Sequence, residues 1–179
     1  MLDQYEQKRL EALHHTAMLD SESEQPFDYL VDLARYFFNV PIALVSLIDE
    51  NRQWFKACVG LEGVTQTARD VSFCTHAIKH SDDVYVVLNA KKDPLFKHNP
   101  LVTAAPHIRF YAGAPITSED GYKLGTLCLI DSKPRRKFSD DDKKHLKKMA
   151  TLASLFIRQR SADPQISEIE ECVLSLASA

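Results

Sequence analysis

Residues 109–131, RFYAGAPITSEDGYKLGTLCLID, restrict the fold more than any other stretch of this chain. An Asp-Gly pair between alternating apolar runs is a strong short-range hairpin signal, so Glu119-Asp120-Gly121 predicts a tight turn joining two antiparallel strands. Period-two alternation sends Phe110, Ala112, Ala114 and Ile116 to one face and Arg109, Tyr111, Gly113 and Pro115 to the other. The second strand sorts Tyr122, Leu124, Thr126, Cys128 and Ile130 against Lys123, Gly125, Leu127, Leu129 and Asp131. Glycine weakens a strand interior, so Gly113 and Gly125 mark places where a helix or a ligand comes close to the sheet.

The remaining sequence supplies helices on either side of more strands. Residues 2–14 carry a sparse helical stripe of Leu2, Leu10 and Leu13. A second helix has Pro26 in its first turn and repeats Phe27, Leu30, Val31, Ala34, Phe37 and Phe38, until Asn39 and Pro41 end it. Val40 to Ile48 is apolar at nearly every position, as in a central strand covered on both faces. Asp49-Glu50-Asn51 turns the chain into a strand from Arg52 to Cys58, and Gly60 to Arg69 reads as a loop. Ser72 caps a short helix through Lys79, and Val84 to Leu88 forms a third strand. Between Asn89 and Pro106 the pattern predicts one short helix opening at Asp93-Pro94, with Asn99-Pro100 as a turn. A long helix starts at Ser139, where Asp142 completes an approximate capping box. Its core stripe is Leu146, Met149, Ala150, Ala153, Phe156 and Ile157.

Five strands linked mostly by hairpins, with helices before and after, give an α+β fold. The chain divides into one domain over 1–160 and a tail over 161–179, where Ile166, Ile169, Val173, Leu174 and Leu176 trace a short amphipathic helix. With no run approaching the roughly 20 apolar residues of a membrane span, no basic-then-apolar leader and a net charge of -3, the expectation is a cytoplasmic domain binding neither membrane nor nucleic acid.

Together with the hairpin, five segments resemble the GAF family: Pro41 to Asp49, Gln53 to Lys56, Ser72 to Ile78, Asp93-Pro94 and Asn99 to Val102. The resemblance is closest to GAF domains at the front of bacterial sensor histidine kinases and diguanylate cyclases, and it runs from about Arg9 to about Ile157. It implies an antiparallel sheet of five to six strands in a three-layer α/β/α sandwich. The first and last long helices would pack on one side, and short helices and loops would form a lid over a pocket on the other. The role implied is a non-catalytic sensor of a small organic ligand in signal transduction by two-component systems or cyclic di-GMP. A separate histidine kinase or diguanylate cyclase would be its output partner. The pocket residues expected from sheet face and lid are Phe73, Cys74, His76, Asp93, Phe96, Tyr111, Gly113, Thr126 and Cys128, a mixture suited to a modest organic molecule. Arg109 is expected to pair structurally with Asp93 or Asp70, tying an irregular segment to the sheet.

Other chemistry was weighed on the residues. Cys74 and His76 are two apart on one short element, which does not by itself join thiol and imidazole. Bilin-binding GAF domains have histidine directly after the linking cysteine, whereas Thr75 intervenes here. The four cysteines are scattered without a Cys-x-x-Cys, so the alternative of a GAF-type methionine sulfoxide reductase has no grouping in sequence to support it. The His76/His80 spacing suits two zinc ligands but lacks a third, and no metal is expected. The basic run around Lys143–Lys148 follows Asp140–Asp142 and reads as a paired helix surface. In the long helix Leu152 and Leu155 fall off the core stripe, which predicts a homodimer seam, or in the third alternative a purely structural dimerisation module.

Overall fold

The computed structural model of the chain describes residues 3–80 and 83–162. Helix α1 (Gln4–His15) is capped by Asp3 and buries Arg9, Leu10 and Leu13. Helix α2 (Gln25–Phe38) starts with proline in its first turn and ends where Asn39 takes the left-handed conformation, φ 49°. The strands are β1 (Ile42–Ile48), β2 (Arg52–Val59), β3 (Gln66–Ala68), β4 (Tyr85–Val87), β5 (Phe110–Thr117) and β6 (Lys123–Asp131). They form one antiparallel sheet in the order β3-β2-β1-β6-β5-β4. A 3-10 turn (Arg69–Val71), helix α3 (Phe73–His80) and the short α4 (Pro100–Thr103) lie between strands, and α5 (Asp140–Ala162) closes the described fold. The 166–176 pattern lies outside the described residues.

The sheet separates two apolar layers. Ala43, Val45, Leu47, Ala112, Ala114, Leu127 and Leu129 pack against Phe27, Leu30 and Ala34 of α2 and Leu146, Ala150 and Ile157 of α5. Leu44, Ile48, Phe55, Tyr111, Cys128 and Ile130 face the opposite way, against α3 and the segment from Val87 to Ile108. All seven residues of β1 are buried, which is why its sequence shows a continuous apolar run rather than alternation. Helices α2 and α5 run antiparallel, with Phe27 edge-on to Phe156 at 5.7 Å and Phe37 against His145 at 5.1 Å. Ser139 and Asp142 exchange the bonds of a capping box, 2.8 Å from the Ser139 amide and 3.1 Å from the Asp142 amide.

Three local expectations are corrected. The Gly60–Arg69 loop contains β3, whose register partners are Arg52, Gln53 and Trp54. A three-residue polar edge strand is too short to show a period. The short helix of the lid starts at Asn99-Pro100, where Asn99 Oδ1 accepts from the Leu101 amide at 2.8 Å, whereas Asp93-Pro94 makes turns only. A proline disfavours helical geometry in the residue before it, so Asn99 ends one segment and caps the next. Finally, alternation breaks on β6: Ile116 pairs with Gly125 and Thr117 with Lys123, leaving Leu124 as the extra residue of a bulge. Leu124 therefore joins Leu127 and Leu129 in the helix-side core instead of sharing a face with Thr126 and Cys128.

Candidate functional site

Between the sheet and the lid lies a cavity of about 170 Å³. Its floor is the sheet face carrying Leu44, Phe55, Tyr111 and Ile130, four side chains that alternation on β1, β2, β5 and β6 delivers to one side. Phe73 and Cys74 of α3, Leu61 and Val64 of the β2–β3 loop, and Leu101, Ala105, Pro106 and Ile108 of the lid complete the apolar wall. Gln53 and Thr67 supply a polar corner; they are register partners on β2 and β3, so their side chains rise together.

The lid is tied down by directed hydrogen bonds. Ser72 donates to Gln53 Oε1 and accepts from the Thr75 amide at 3.1 Å, which fixes the start of α3 against β2. Asn99 Nδ2 donates to the Val71 carbonyl at 2.9 Å. Arg109 donates from Nη1 to the carbonyls of Val102 (2.9 Å) and Ile108 (3.0 Å). Among the described residues it reaches neither Asp93, whose carboxylate accepts from the Leu95 amide at 2.9 Å, nor Asp70, so the expected ion pair is replaced by bonds to loop carbonyls. The reason is reach: the lid backbone beside Arg109 presents acceptors closer than either side chain does.

Of the nine expected pocket residues, Phe73, Cys74 and Tyr111 line the cavity. Phe96 lies behind Phe73, stacked at 4.0 Å and 8°, and His76 meets the Phe96 ring edge-on at 5.0 Å. Asp93 serves a lid turn and does not line the cavity. Gly113 is covered by the phenol ring of Tyr111, which a Cβ there would strike, while a Cβ at Gly125 would strike the β1 backbone at Ser46. The close approaches that these glycines permit are thus made by the protein itself. Thr126 and Cys128 do not line the cavity; Cys128 packs beside it in the lid-side core, and the Thr126 hydroxyl stands 3.3 Å from Ser46 Oγ.

The cysteines are closer than their sequence spacing suggests. Cys74 Sγ stands 3.6 Å from Cys128 Sγ and accepts from the Tyr111 hydroxyl at 3.3 Å. Burial pushes the Cys128 thiol and the Tyr111 phenol well up. At Cys74 burial works the same way, but bonds from Cys128, Ser46, Thr126 and Tyr111 outweigh it and hold the thiol below its ordinary range. Cys58 donates to the Leu61 carbonyl at 3.7 Å, and Cys172 lies outside the described residues, as does the side chain of His80. Among the described residues no three of His, Cys, Asp and Glu gather as a metal site requires, and no helix is long and apolar enough to cross a membrane.

The sequence reading missed Leu44, Gln53, Phe55, Thr67, Ile108 and Ile130. Alternation on β2 carried the signal for Phe55, whereas the continuous apolar run of β1 gave none for Leu44. For Thr67 there was none, because β3 itself was not visible. Two larger clefts, of about 950 Å³ beside the end of α2 and about 800 Å³ between α1 and Lys79, lie outside the sheet–lid space. Asp32, Arg35, Asp131 and Lys133 are among the residues lining the first, and Asp3, Glu6, Arg9, Glu50, Arg69, Lys79 and Lys123 among those lining the second.

Comparison with known proteins places this arrangement. The chain is 37% identical over 163 residues to the cyclic di-GMP phosphodiesterase PA2567 of Pseudomonas aeruginosa, a match covering 91% of this chain but only 27% of that protein. Its fold is similar to the crystal structure of the GAF domain of an Acinetobacter phosphoenolpyruvate-protein phosphotransferase (TM-score 0.62, 17% identity, 87% of this chain and 94% of that one). It is also similar to free methionine-R-sulfoxide reductase of Neisseria meningitidis in complex with its substrate (TM-score 0.61, 14% identity, 92% and 95%). The GAF domain family matches residues 22–157, across the whole sheet, the lid and most of α5, and the chain belongs to that family.

Proposed function

We propose that this chain is a sensory GAF domain of cytoplasmic bacterial signal transduction that binds a small molecule between sheet and lid and catalyses no reaction itself. The observation that carries the reading is the largely apolar cavity of about 170 Å³ under a lid held by Arg109, Asn99 and Ser72. A lid fastened through backbone carbonyls passes a change in the cavity directly to α3 and the 99–108 segment. The output partner is a kinase, cyclase or phosphodiesterase module of the cyclic di-GMP or two-component kind, a reading supported by the relative's printed activity. Mass spectrometry of small molecules released on denaturing the purified chain tests the proposal. A compound released in near-stoichiometric amount supports it, and repeated absence under varied growth conditions counts against it.

Signal output of this kind fits a homodimer. Helix α2 exposes Tyr29 (68%), Leu33 (52%), Tyr36 (87%) and Phe37 (49%), and α5 exposes Leu152 and Leu155. An apolar surface of that extent on one helix pair favours self-association. Light scattering at high micromolar concentration should give twice the monomer mass, and a monomer there would refute it.

One observation favours a second reading, thiol-dependent reduction of an oxidised substrate: the 3.6 Å separation of Cys74 and Cys128 beside the cavity. Each turnover would convert the two thiols to a disulfide. Thiol titration before and after incubation with free methionine sulfoxide separates the readings. The sensory proposal expects no loss of thiols.

A further inference from the structure

We infer that the ligand of the sheet–lid cavity is a small, uncharged, mainly apolar molecule of about one ring, carrying a single hydroxyl or carbonyl that bonds to Thr67. The inference rests on the sensory reading above and names the chemical class which that site accepts.

Size sets the first limit. Drug-sized ligands occupy pockets of roughly 300–1,000 Å³, whereas a cavity of about 150 Å³ lined by aliphatic and aromatic side chains holds a benzene ring. At about 170 Å³ this cavity accepts a single ring or a short branched chain and excludes a nucleotide or a tetrapyrrole. Charge sets the second. None of the residues lining the cavity is Asp, Glu, Lys, Arg or His, so an ionised ligand would lose its hydration with no counter-charge to replace it. Both carboxylates and ammonium groups are excluded on that ground.

The third limit comes from polar atoms. Cys74 and Tyr111 satisfy each other, and Gln53 Oε1 is occupied by Ser72. Thr67 Oγ1 is buried and, among the described residues, has no hydrogen-bond partner, although it lines the cavity. A buried hydroxyl without a partner is costly, and a ligand hydroxyl or carbonyl would remove that cost. The Thr67 hydroxyl can donate or accept, so either group fits. Its position beside Gln53 puts the ligand's polar end at β3 and its apolar body over Leu44, Phe55 and Ile130.

The test is an NMR titration of the full chain with benzyl alcohol, toluene, benzoate and benzylamine, following the backbone amides of Thr67, Cys74 and Tyr111. Benzyl alcohol and toluene should shift these amides saturably, and the two charged probes should bind at least about 100-fold more weakly. Thr67→Val keeps the wall and removes the hydroxyl. It should weaken benzyl alcohol roughly two- to tenfold, the range for one net hydrogen bond, and leave toluene unchanged. Leu44→Phe, or Val64→Phe at the rim if the first variant folds poorly, narrows the cavity and should weaken benzyl alcohol and toluene together. Benzoate or benzylamine bound as tightly as benzyl alcohol overturns the ligand class but leaves the pocket as a binding site. Equal weakening of toluene by Thr67→Val overturns the role of Thr67. If no probe shifts the cavity amides, the sensory reading of this site falls with it.

Discussion

Replacing Leu44 by phenylalanine should stabilise the ligand-free protein. Leu44 is 1% exposed on β1, and its side chain borders the cavity from an interior strand of the sheet. Unfilled space in a core costs on the order of 24 cal/mol per Å³. Applied to about 170 Å³, that gives a ceiling of about 4 kcal/mol recoverable by perfect filling. A leucine-to-phenylalanine change adds about three carbon atoms, or roughly 2.4 kcal/mol at about 0.8 kcal/mol per buried carbon. Fitting a planar ring costs about 1 kcal/mol of strain, the low end for added volume because the cavity leaves room. The expected net gain is about 0.5–1.5 kcal/mol, which raises Tm by roughly 2–4 °C for each kcal/mol in a chain of this length. Urea unfolding followed by fluorescence of Trp54, the one tryptophan, provides the assay, because Trp54 is buried in the helix-side core and reports global unfolding rather than the cavity. Leu44→Ala is the control and should cost about 2–5 kcal/mol. A Leu44→Phe variant destabilised by more than about 1 kcal/mol would mean that the wall has no room, and the cavity argument would fail.

Lys56 is buried against α2, with Nζ 2.8 Å from Ser21 Oγ, 2.5 Å from the Glu22 carbonyl and 2.6 Å from Glu24, and burial lowers its pKa in spite of that carboxylate. Glu24→Ala should cost about 1–3 kcal/mol, because it strands a buried ammonium, while Lys56→Met should stay within about 1 kcal/mol; urea denaturation giving the reverse order would refute this. Arg109→Lys forfeits the paired carbonyl bonds to the lid and should cost about 1–2 kcal/mol with little change in cavity chemistry, so loss of probe binding at unchanged Tm would assign Arg109 to the ligand instead. Burial pushes Glu6 and Asp49 up, but bonds from Arg9 and Arg69 to Glu6, and from the Glu50 amide and Arg52 to Asp49, leave both carboxyls below their ordinary values. A depressed folded-state pKa gives stability that is complete above the unfolded value near 4 and lost as pH falls through the folded value. Thermal melts should therefore be flat with respect to these groups above about pH 5 and fall steadily below about pH 4, and Glu6→Gln should reduce that fall.

The parts legible in sequence were those fixed by local chemistry. Gly121, at φ 83°, takes the turn conformation that Asp120-Gly121 announces, and Ser139 with Asp142 caps α5 as its spacing requires. The apolar run of β1 gave its central place because burial on both faces leaves no polar position. The bulge at Leu124 was not legible, since an extra residue in a ladder leaves no mark in a period-two pattern until the partner strand is known. The same limit governs the site. Cys74 and Cys128 stand 54 positions apart and meet only because α3 crosses the face of β6, and Thr67 pairs with Gln53 on an edge strand too short to read. Arg109 immediately precedes β5, and its partners are carbonyls, which every residue carries and which no sequence pattern distinguishes.

Crystals of the full chain under xenon pressure test the central claim most directly, because xenon enters dry apolar cavities of this size without needing a polar partner. The account predicts one xenon site bounded by Leu44, Phe55, Tyr111 and Ile130. A wild-type crystal with no xenon between sheet and lid would contradict it.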